Sequence, residues 1–207
     1  MNLSGRGMWR QYWVSLRVLI VATVVLGIAY PLLITGIGQL VLPSKANGSP
    51  VSYQGSTIGS SLLGQSFTDK KGNPLPQWFQ SRPSAAGAGY DATASSGSSL
   101  GPNNPALVQA IDGRKKVIEK LDGVTASQIP ADALTASGSG LDPHISPAYA
   151  RLQVTAVANA RGISVASVRA LVEKYVDGRE LGYLGDPRVN VLQLNLALAK
   201  MDPSGNK

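Results

Sequence analysis

The chain has 207 residues, of which 43% are hydrophobic and 15% charged, and it contains no cysteine. The lack of cysteine excludes a disulfide framework, a thiolate metal site and a cysteine nucleophile. The formal net charge of +7 arises from 19 basic and 12 acidic residues. Because these charges are scattered, they are typical of a solvated surface and do not indicate a nucleic-acid-binding face.

Residues 18–42 form a stretch near the N-terminus that carries no charged side chain. As a helix rising about 1.5 Å per residue, this stretch would exceed the roughly 30 Å thickness of a bilayer's hydrocarbon core. Arg6, Arg10 and Arg17 precede it, and residues 1–17 contain no acid. The positive-inside bias therefore predicts a transmembrane helix with a cytoplasmic N-terminus, and nearby Trp and Tyr residues are typical of the membrane interface.

Two other interpretations explain this stretch less well. A cleaved signal peptide would have a shorter apolar region, about 7 to 15 residues, that ends at a small-x-small site. A buried core helix in water would be weakened by Gly27, Pro31, Gly36 and Gly38, which membranes tolerate. A retained anchor explains the sequence better. Gly36 and Gly38 could also admit a neighbouring helix, although their spacing is not GxxxG.

The remaining chain is long enough for one core and for one domain outside the cytoplasm. We therefore expect a cytoplasmic leader, a transmembrane helix, a soft linker and an extracytoplasmic α+β domain, in which several helices accompany a small sheet of short strands. These four parts are assigned in order to residues 1–17, 18–42, 43–50 and 51–207.

The start of this domain predicts short strands and turns. Residues 51–67 hold short apolar pieces broken by glycines, residues 69–76 read as a polar turn, and residues 77–80 read as another short strand. Residues 82–104 have few groups that could fill a core, which predicts an ordered or a disordered loop.

Four helices are predicted farther along the chain from capping signals and apolar spacing. For the last of them, the alternation of Val189, Val191, Leu194, Leu196 and Leu198 keeps a strand open as the alternative. The helices run from the Asn104 cap to Gly123, from Ser146 and Pro147 to Gly162, from Ser164 to near Gly178, and from Asp186 and Pro187 through Ala199.

Catalytic motifs are weak in this sequence. Residues 97–101 fit the G-x-S-x-G nucleophile elbow, with His144 and Asp142 as imaginable partners, but no hydrophobic strand precedes the serine. A single histidine with scattered carboxylates does not make a metal site. Neither a Walker motif nor a strand-linked G-x-G-x-x-G occurs. We therefore expect no catalytic residue and no bound metal.

Two uncharged loops rich in serine and glycine, around residues 95–101 and 135–140, offer many backbone N–H groups and hydroxyls. Such loops could cradle an anion or grip the backbone of a partner protein. They could equally supply only tight turns and local caps. The sequence leaves both possibilities open.

The chain resembles the KdpC family, the C subunits of bacterial Kdp potassium-transporting P-type ATPases. The resemblance extends over essentially the whole chain and departs from the family pattern at Ser99, where the family usually has Asn. It is carried by WFQSRPSA at 78–85, YDATASSGSSLGPNNP at 90–105, LTASGSGLDPHISPAYA at 134–150 and GDPRVNVLQLNLAL at 185–198.

The resemblance implies a non-catalytic assembly subunit of a high-affinity potassium uptake pump in the bacterial inner membrane. Its implied partners are a KdpA-like channel subunit, a KdpB-like ATP-hydrolysing subunit and a small KdpF-like membrane peptide. The exported domain would lie against the outer side of the KdpA-like subunit. The family is also described as a catalytic chaperone that raises the ATP affinity of KdpB, so ATP is a possible ligand through the complex. The alternative is a free-standing, membrane-anchored binding or hydrolytic domain.

The residues that the loops and the resemblance suggest as partner or nucleotide contacts are polar or glycine. They are Arg82, Ser84, Ser95, Ser96, Gly97, Gly101, Asn103, Ser137, Gly138, Ser139, Gly140, Asp142 and His144.

Overall fold

The computed structural model describes residues 5–206, and the chain divides into two compact units after Pro50. The first unit is dominated by a continuous helix: α1 spans Gly5–Ala22, a π-helical segment spans Thr23–Ala29, and α2 spans Tyr30–Val41. Its apolar part, Gly7–Val41, has 35 residues and is long enough to cross a membrane. The expected apolar helix is therefore present, but it begins well before residue 18 because residues 5–17 are helical too.

Pro31 explains why the long helix contains a π-helical segment. Proline has no N–H, and its ring crowds the carbonyl four residues earlier, so the α pattern cannot continue through it. Directly before it, the Tyr30 N–H instead donates to the carbonyl oxygen of Val25, five residues back. A wider turn of this kind is the usual form of a π-bulge.

The segment expected to be a soft linker, residues 43–50, begins with a helical turn, α3, at Pro43–Ala46. Pro43 occupies the first turn, where its missing N–H costs nothing. The Asn47 side chain donates to the Pro43 carbonyl oxygen (2.7 Å) and to Gln39 Oε1 (3.0 Å). These contacts order the first half of the segment, which was expected to be soft throughout.

Two small antiparallel sheets lie in the second unit. Strands β1 (Pro50–Tyr53) and β2 (Ser56–Ser60) pair in the first sheet, joined by Gln54 and Gly55, which both have positive φ as tight hairpin turns require. The second sheet has the order β3-β5-β4, where β3 is His144–Ile145, β4 is Val176–Asp177 and β5 is Arg188–Asn190. Val189 lies at its centre, opposite Ile145 on one side and Val176 on the other.

The helices of this unit begin and end largely at the expected caps. Helix α4 (Pro105–Asp122) begins after Asn104, whose side chain accepts the Ala106 N–H, and ends at the left-handed Gly123. Ser146, Ser164 and Gly162 bound the next long helices in the same way. The remaining helices are α5 (Ala131–Leu134), α6 (Pro147–Arg161), α7 (Val165–Lys174) and α8 (Val191–Met201), with 3₁₀ turns at Ala126–Gln128 and Pro203–Asn206.

Two expectations near the sheet need correction. Helix α7 ends at Lys174 rather than near Gly178, because residues 176–177 pair with β5. Neither a helix nor a strand alone describes residues 186–199: β5 covers Arg188–Asn190 and α8 follows at once. Asn190 ends the strand and caps the helix, since its side chain accepts the Gln193 N–H.

The prediction of a strand at residues 77–80 is wrong. Phe79 is fully buried, but its N–H and carbonyl oxygen are bonded by the Asn195 side chain, both at 2.9 Å. The next N–H, of Gln80, donates to Gln153 Oε1 at 2.6 Å. Amide side chains of α8 and α6 thus replace the neighbouring strand that an extended segment would need.

The hydrophobic core of the second unit lies between α4, α6, α7, α8 and the three-stranded sheet. Its larger members are Phe79, Ile118, Ile129, Leu134, Ile145, Tyr149, Val154, Val157, Val168, Val172, Val189, Val191, Leu194 and Leu198. This unit is an α+β domain, as the sequence predicted.

Candidate functional site

The two serine- and glycine-rich loops pack against each other. We call residues 82–101 the first polar loop and residues 135–143 the second polar loop. The Ser84 hydroxyl donates to the Gly140 carbonyl oxygen (2.6 Å) and accepts the N–H groups of Tyr90 (2.8 Å) and Ala86 (3.2 Å). One hydroxyl thereby joins both loops and closes a turn of the first.

Further contacts tie the loops together through backbone oxygens. The Ser95 hydroxyl donates to the Ser139 carbonyl oxygen at 3.0 Å. Ser96 donates within its own loop, to the Ala85 carbonyl oxygen at 3.1 Å. These hydroxyl protons are therefore already used inside the domain.

Two glycines allow the loops to approach this closely. A Cβ atom on Gly140 would lie 2.6 Å from the Ser96 carbonyl oxygen and 2.7 Å from the Ala86 nitrogen, and Gly140 has a φ of +67°. A Cβ atom on Gly97 would lie 3.1 Å from the Gly138 carbonyl oxygen. Gly140 is required by both space and backbone conformation, whereas Gly97 is required mainly by space.

Charged residues meet at one end of the loops. Asp142 accepts from Arg82 Nη1 at 3.1 Å through one oxygen and lies 3.3 Å from His144 Nδ1 through the other. Burial alone would raise the pKa of Asp142, but hydrogen bonds from the His144 side chain and N–H, with the Arg82 charge, hold that pKa below its usual value. This cluster fixes the entry into β3.

The structure does not bring every candidate residue into this arrangement. Gly101 has open space where a Cβ atom would be, and so has Gly138, although the Gly138 backbone lies beside Gly97. Asn103 instead lines a separate surface cleft beside Val108 of α4. The Ser137 hydroxyl lies 3.5 Å from that of Ser139, within the second polar loop. The remaining candidates, Arg82, Ser84, Ser95, Ser96, Gly97, Ser139, Gly140, Asp142 and His144, lie in or beside the contact between the loops.

The serine of the G-x-S-x-G pattern is Ser99, and it does not meet the histidine that a nucleophile would need. Within residues 5–206 no hydrogen bond joins Ser99 or its neighbour Ser98 to His144, and the Ser98 hydroxyl accepts the Leu100 N–H at 3.4 Å. Nor do those residues hold a group of three side chains suited to a metal ion. Ser99 has a φ of +52°, in the left-handed region.

Tyr90 was missed by the sequence argument. Its hydroxyl donates to the Arg82 carbonyl oxygen at 2.6 Å, and burial raises the pKa of Tyr90 to about 12. Its ring packs where a Gly64 side chain would otherwise lie, and the Gly64 N–H donates to the Leu141 carbonyl oxygen at 2.8 Å. The available signal was that Tyr90 is the lone aromatic residue between Phe79 and Tyr149.

A cleft of about 490 Å³ opens between α4 and the first polar loop. That volume falls in the usual range of small-molecule sites, roughly 300 to 1,000 Å³. Arg82 Nε lies buried without a hydrogen-bond partner, and Arg114 donates to the Leu134 carbonyl oxygen at 2.7 Å. Burial lowers the pKa of Arg114. The walls are mainly apolar and include Phe67, Pro74, Tyr90, Val117, Ile118 and Tyr149.

Comparisons with known proteins agree on one family. The model of the family described as "KdpC: K+-transporting ATPase, c chain" matches residues 12–200. A "Potassium-transporting ATPase KdpC subunit" of Kineococcus radiotolerans is 49% identical over 203 residues, which is 98% of this chain and all of the relative. The protein of the same name from Methylococcus capsulatus is 49% identical over 89% of this chain and 94% of the relative. Its Mycobacterium tuberculosis H37Rv counterpart is 48% identical over 94% of this chain and all of the relative.

Proposed function

We propose, from the premise that the chain belongs to the KdpC family of K+-transporting ATPase c chains, that it is a non-catalytic assembly subunit of a potassium uptake pump. The observation that carries this proposal is the family match, which runs from the membrane helix to the last helix. An accessory role agrees with the polar loops, where the Ser84 and Ser95 hydroxyls donate to backbone carbonyl oxygens and the Asp142 carboxylate accepts from Arg82.

The proposed location is the bacterial inner membrane, with the second unit outside the cytoplasm. Arg10 and Arg17 precede the uncharged residues 18–42, whereas Lys45 is the only basic residue in the two dozen positions after them. The positive-inside bias orients such a span with its N-terminus in the cytoplasm.

The proposed partners are a KdpA-like channel subunit, a KdpB-like ATP-hydrolysing subunit and a small KdpF-like membrane peptide. We assign the outer side of the KdpA-like subunit as the surface that the second unit meets. The c-chain description of the family supports the presence of other chains in the complex.

An effect on ATP affinity would then be indirect. A domain outside the cytoplasm cannot touch cytosolic ATP, so any coupling would act through the membrane helices as a bias between two conformations of the ATP-hydrolysing subunit. The rival proposal, direct nucleotide contact, finds its best support in the cleft with the unpaired Arg82 Nε.

Affinity purification tests the proposed role. The tagged full-length chain, co-expressed with the channel-like and ATP-hydrolysing subunits, should retain both, and the complex should show potassium-stimulated ATP hydrolysis that is lost without the chain. A lone chain that binds neither subunit, or that hydrolyses a substrate by itself, would contradict the proposal.

Calorimetry separates the two ideas about ATP. The purified full-length chain in detergent should bind ATP weakly or not at all. Tight binding that disappears in Arg82→Gln and persists in the matched surface variant Arg169→Gln would favour direct contact in the cleft.

A further inference from the structure

The segment between β4 and β5 displays apolar side chains to solvent. Leu181 is 80% exposed, Tyr183 69% and Leu184 49%. Among the described residues after Pro50, Leu181 and Tyr183 are the two most exposed large hydrophobic side chains. We call residues 179–186 the tip loop. Three such side chains on one short loop form an apolar patch of the kind that marks interaction sites.

The tip loop has an ordered backbone. Glu180 and Leu184 exchange backbone hydrogen bonds at 3.0 and 2.9 Å, and the Gly182 N–H donates to the Arg179 carbonyl oxygen at 3.1 Å. At its base, Arg188 pairs with Glu180 at 2.6 Å. The patch is therefore held in one shape before it meets a partner, which reduces the entropy lost on binding.

Leu181 occupies a conformation that disfavours leucine. Its φ is +53°, in the left-handed region that glycine and asparagine adopt far more readily. The side chain gains little burial in return, because most of it faces solvent. A strained residue with no role in the core suggests a role outside the fold.

The charges around the patch distinguish a protein partner from a lipid surface. Residues 177–188 contain three acids and two arginines, and the arginines pair with Glu180 (2.6 Å) and Asp186 (3.5 Å). A loop that inserts into an anionic bilayer normally carries an excess of Lys and Arg. Basic residues are not in excess in this loop, which favours a protein partner that accepts the apolar side chains over an anionic lipid surface.

We propose that the tip loop is a docking element whose Leu181, Tyr183 and Leu184 side chains insert into an apolar pocket on a neighbouring protein subunit. Aromatic and aliphatic anchors in such pockets commonly dominate binding energy. The inference rests on the proposed function, because it identifies the surface through which the assembly subunit would hold its partner.

The test compares variants of the tagged full-length chain co-expressed with the partner subunits. Leu181→Asn removes the apolar side chain while suiting the left-handed backbone, so the free chain should keep or slightly raise its melting temperature. The variant L181N/Y183S/L184S should lower partner retention by about 30-fold, as expected when hot-spot residues are lost. The control V108S/M201S removes two other exposed apolar side chains, 48% and 42% exposed, from α4 and α8 and should retain partners like the unaltered chain.

The outcomes separate the two proposals. If the unaltered chain retains no partner, the proposed function fails and this inference fails with it. If the unaltered chain retains its partners and L181N/Y183S/L184S does so equally, only the docking element is refuted. A third result would also refute it. If, for the chain alone, residues 179–186 exchange hydrogen much more slowly in nanodiscs of anionic lipid than in nanodiscs of neutral lipid, the bilayer is the occupant.

Discussion

The polar loops and the tip loop use their side chains in opposite ways. The polar loops are rich in groups that could bind a ligand, yet Ser84, Ser95 and Asp142 direct their bonds at the domain itself. In the tip loop, backbone hydrogen bonds join residues of the loop to one another, and the side chains of Leu181 and Tyr183 face solvent. The comparison teaches that the composition of a loop does not reveal whether its side chains contact the domain or face solvent.

The largest effect is expected where the polar loops are closest. Gly140→Ala should destabilise the chain by about 3 kcal/mol, because it combines a left-handed backbone with contacts below 3 Å to backbone atoms of the first polar loop. Thermal unfolding of the full-length chain in detergent should show a melting temperature lower by about 6 to 12 °C. Gly138→Ala, in the same loop but facing open space, should change it little. Equal losses of stability in Gly140→Ala and Gly138→Ala would contradict this explanation.

Ser84→Ala should have the next largest effect, about 2 kcal/mol of destabilisation. The substitution removes the bond to the Gly140 carbonyl oxygen and leaves the Tyr90 and Ala86 N–H groups without the hydroxyl that accepts them. Denaturant unfolding measures the loss. Ser98→Ala is the matched control, since Ser98 accepts a single N–H within an exposed turn. A Ser84 variant as stable as this control would show that the loops do not depend on each other.

The charged cluster should contribute about 1 kcal/mol, as a partly exposed ion pair does, and this contribution depends on pH. The pKa of Asp142 is depressed in the folded chain, so its stabilising effect is present above the unfolded pKa, about 4, and is lost as pH falls through the folded pKa. Unfolding midpoints measured from pH 7 to pH 3 should therefore fall less steeply in Asp142→Asn. Parallel curves for both proteins would contradict the assigned role.

The smallest effect is expected at Ser99, whose φ is +52°. Asparagine adopts this region more readily than serine, so Ser99→Asn should raise stability by about 0.5 kcal/mol or less. A lower melting temperature in Ser99→Asn would contradict the explanation.

Local signals in the sequence predicted the parts of the fold that depend on neighbouring residues. Asn104, Ser146 and Ser164 cap helices because each side chain reaches an N–H two or three residues ahead. The strand expected at 77–80 failed because Phe79 is bonded by Asn195, 116 residues away. No local pattern in the sequence indicates a partner at that distance.

The composition of the candidate site was predictable from the sequence, but the contacts that its side chains make were not. Serine and glycine content located the polar loops, yet only the tertiary structure shows that the Ser84 hydroxyl reaches Gly140. Leu181 and Tyr183 lie in a stretch whose apolar residues could have belonged to the core. Their exposure follows from the turn between β4 and β5, two strands too short to be seen in the sequence.

Hydrogen exchange measured by mass spectrometry, on the full-length chain alone and in the assembled complex, tests the central claim most directly. Buried and bonded amides exchange slowly, whereas exposed loops exchange fast. We predict that residues 82–98 and 135–142 change little in exchange rate on assembly. Exchange in residues 179–186, already slowed in the free chain by bonds such as that of the Leu184 N–H, should slow further in the complex. Protection gained on assembly in the polar loops, with none gained in the tip loop, would contradict the account.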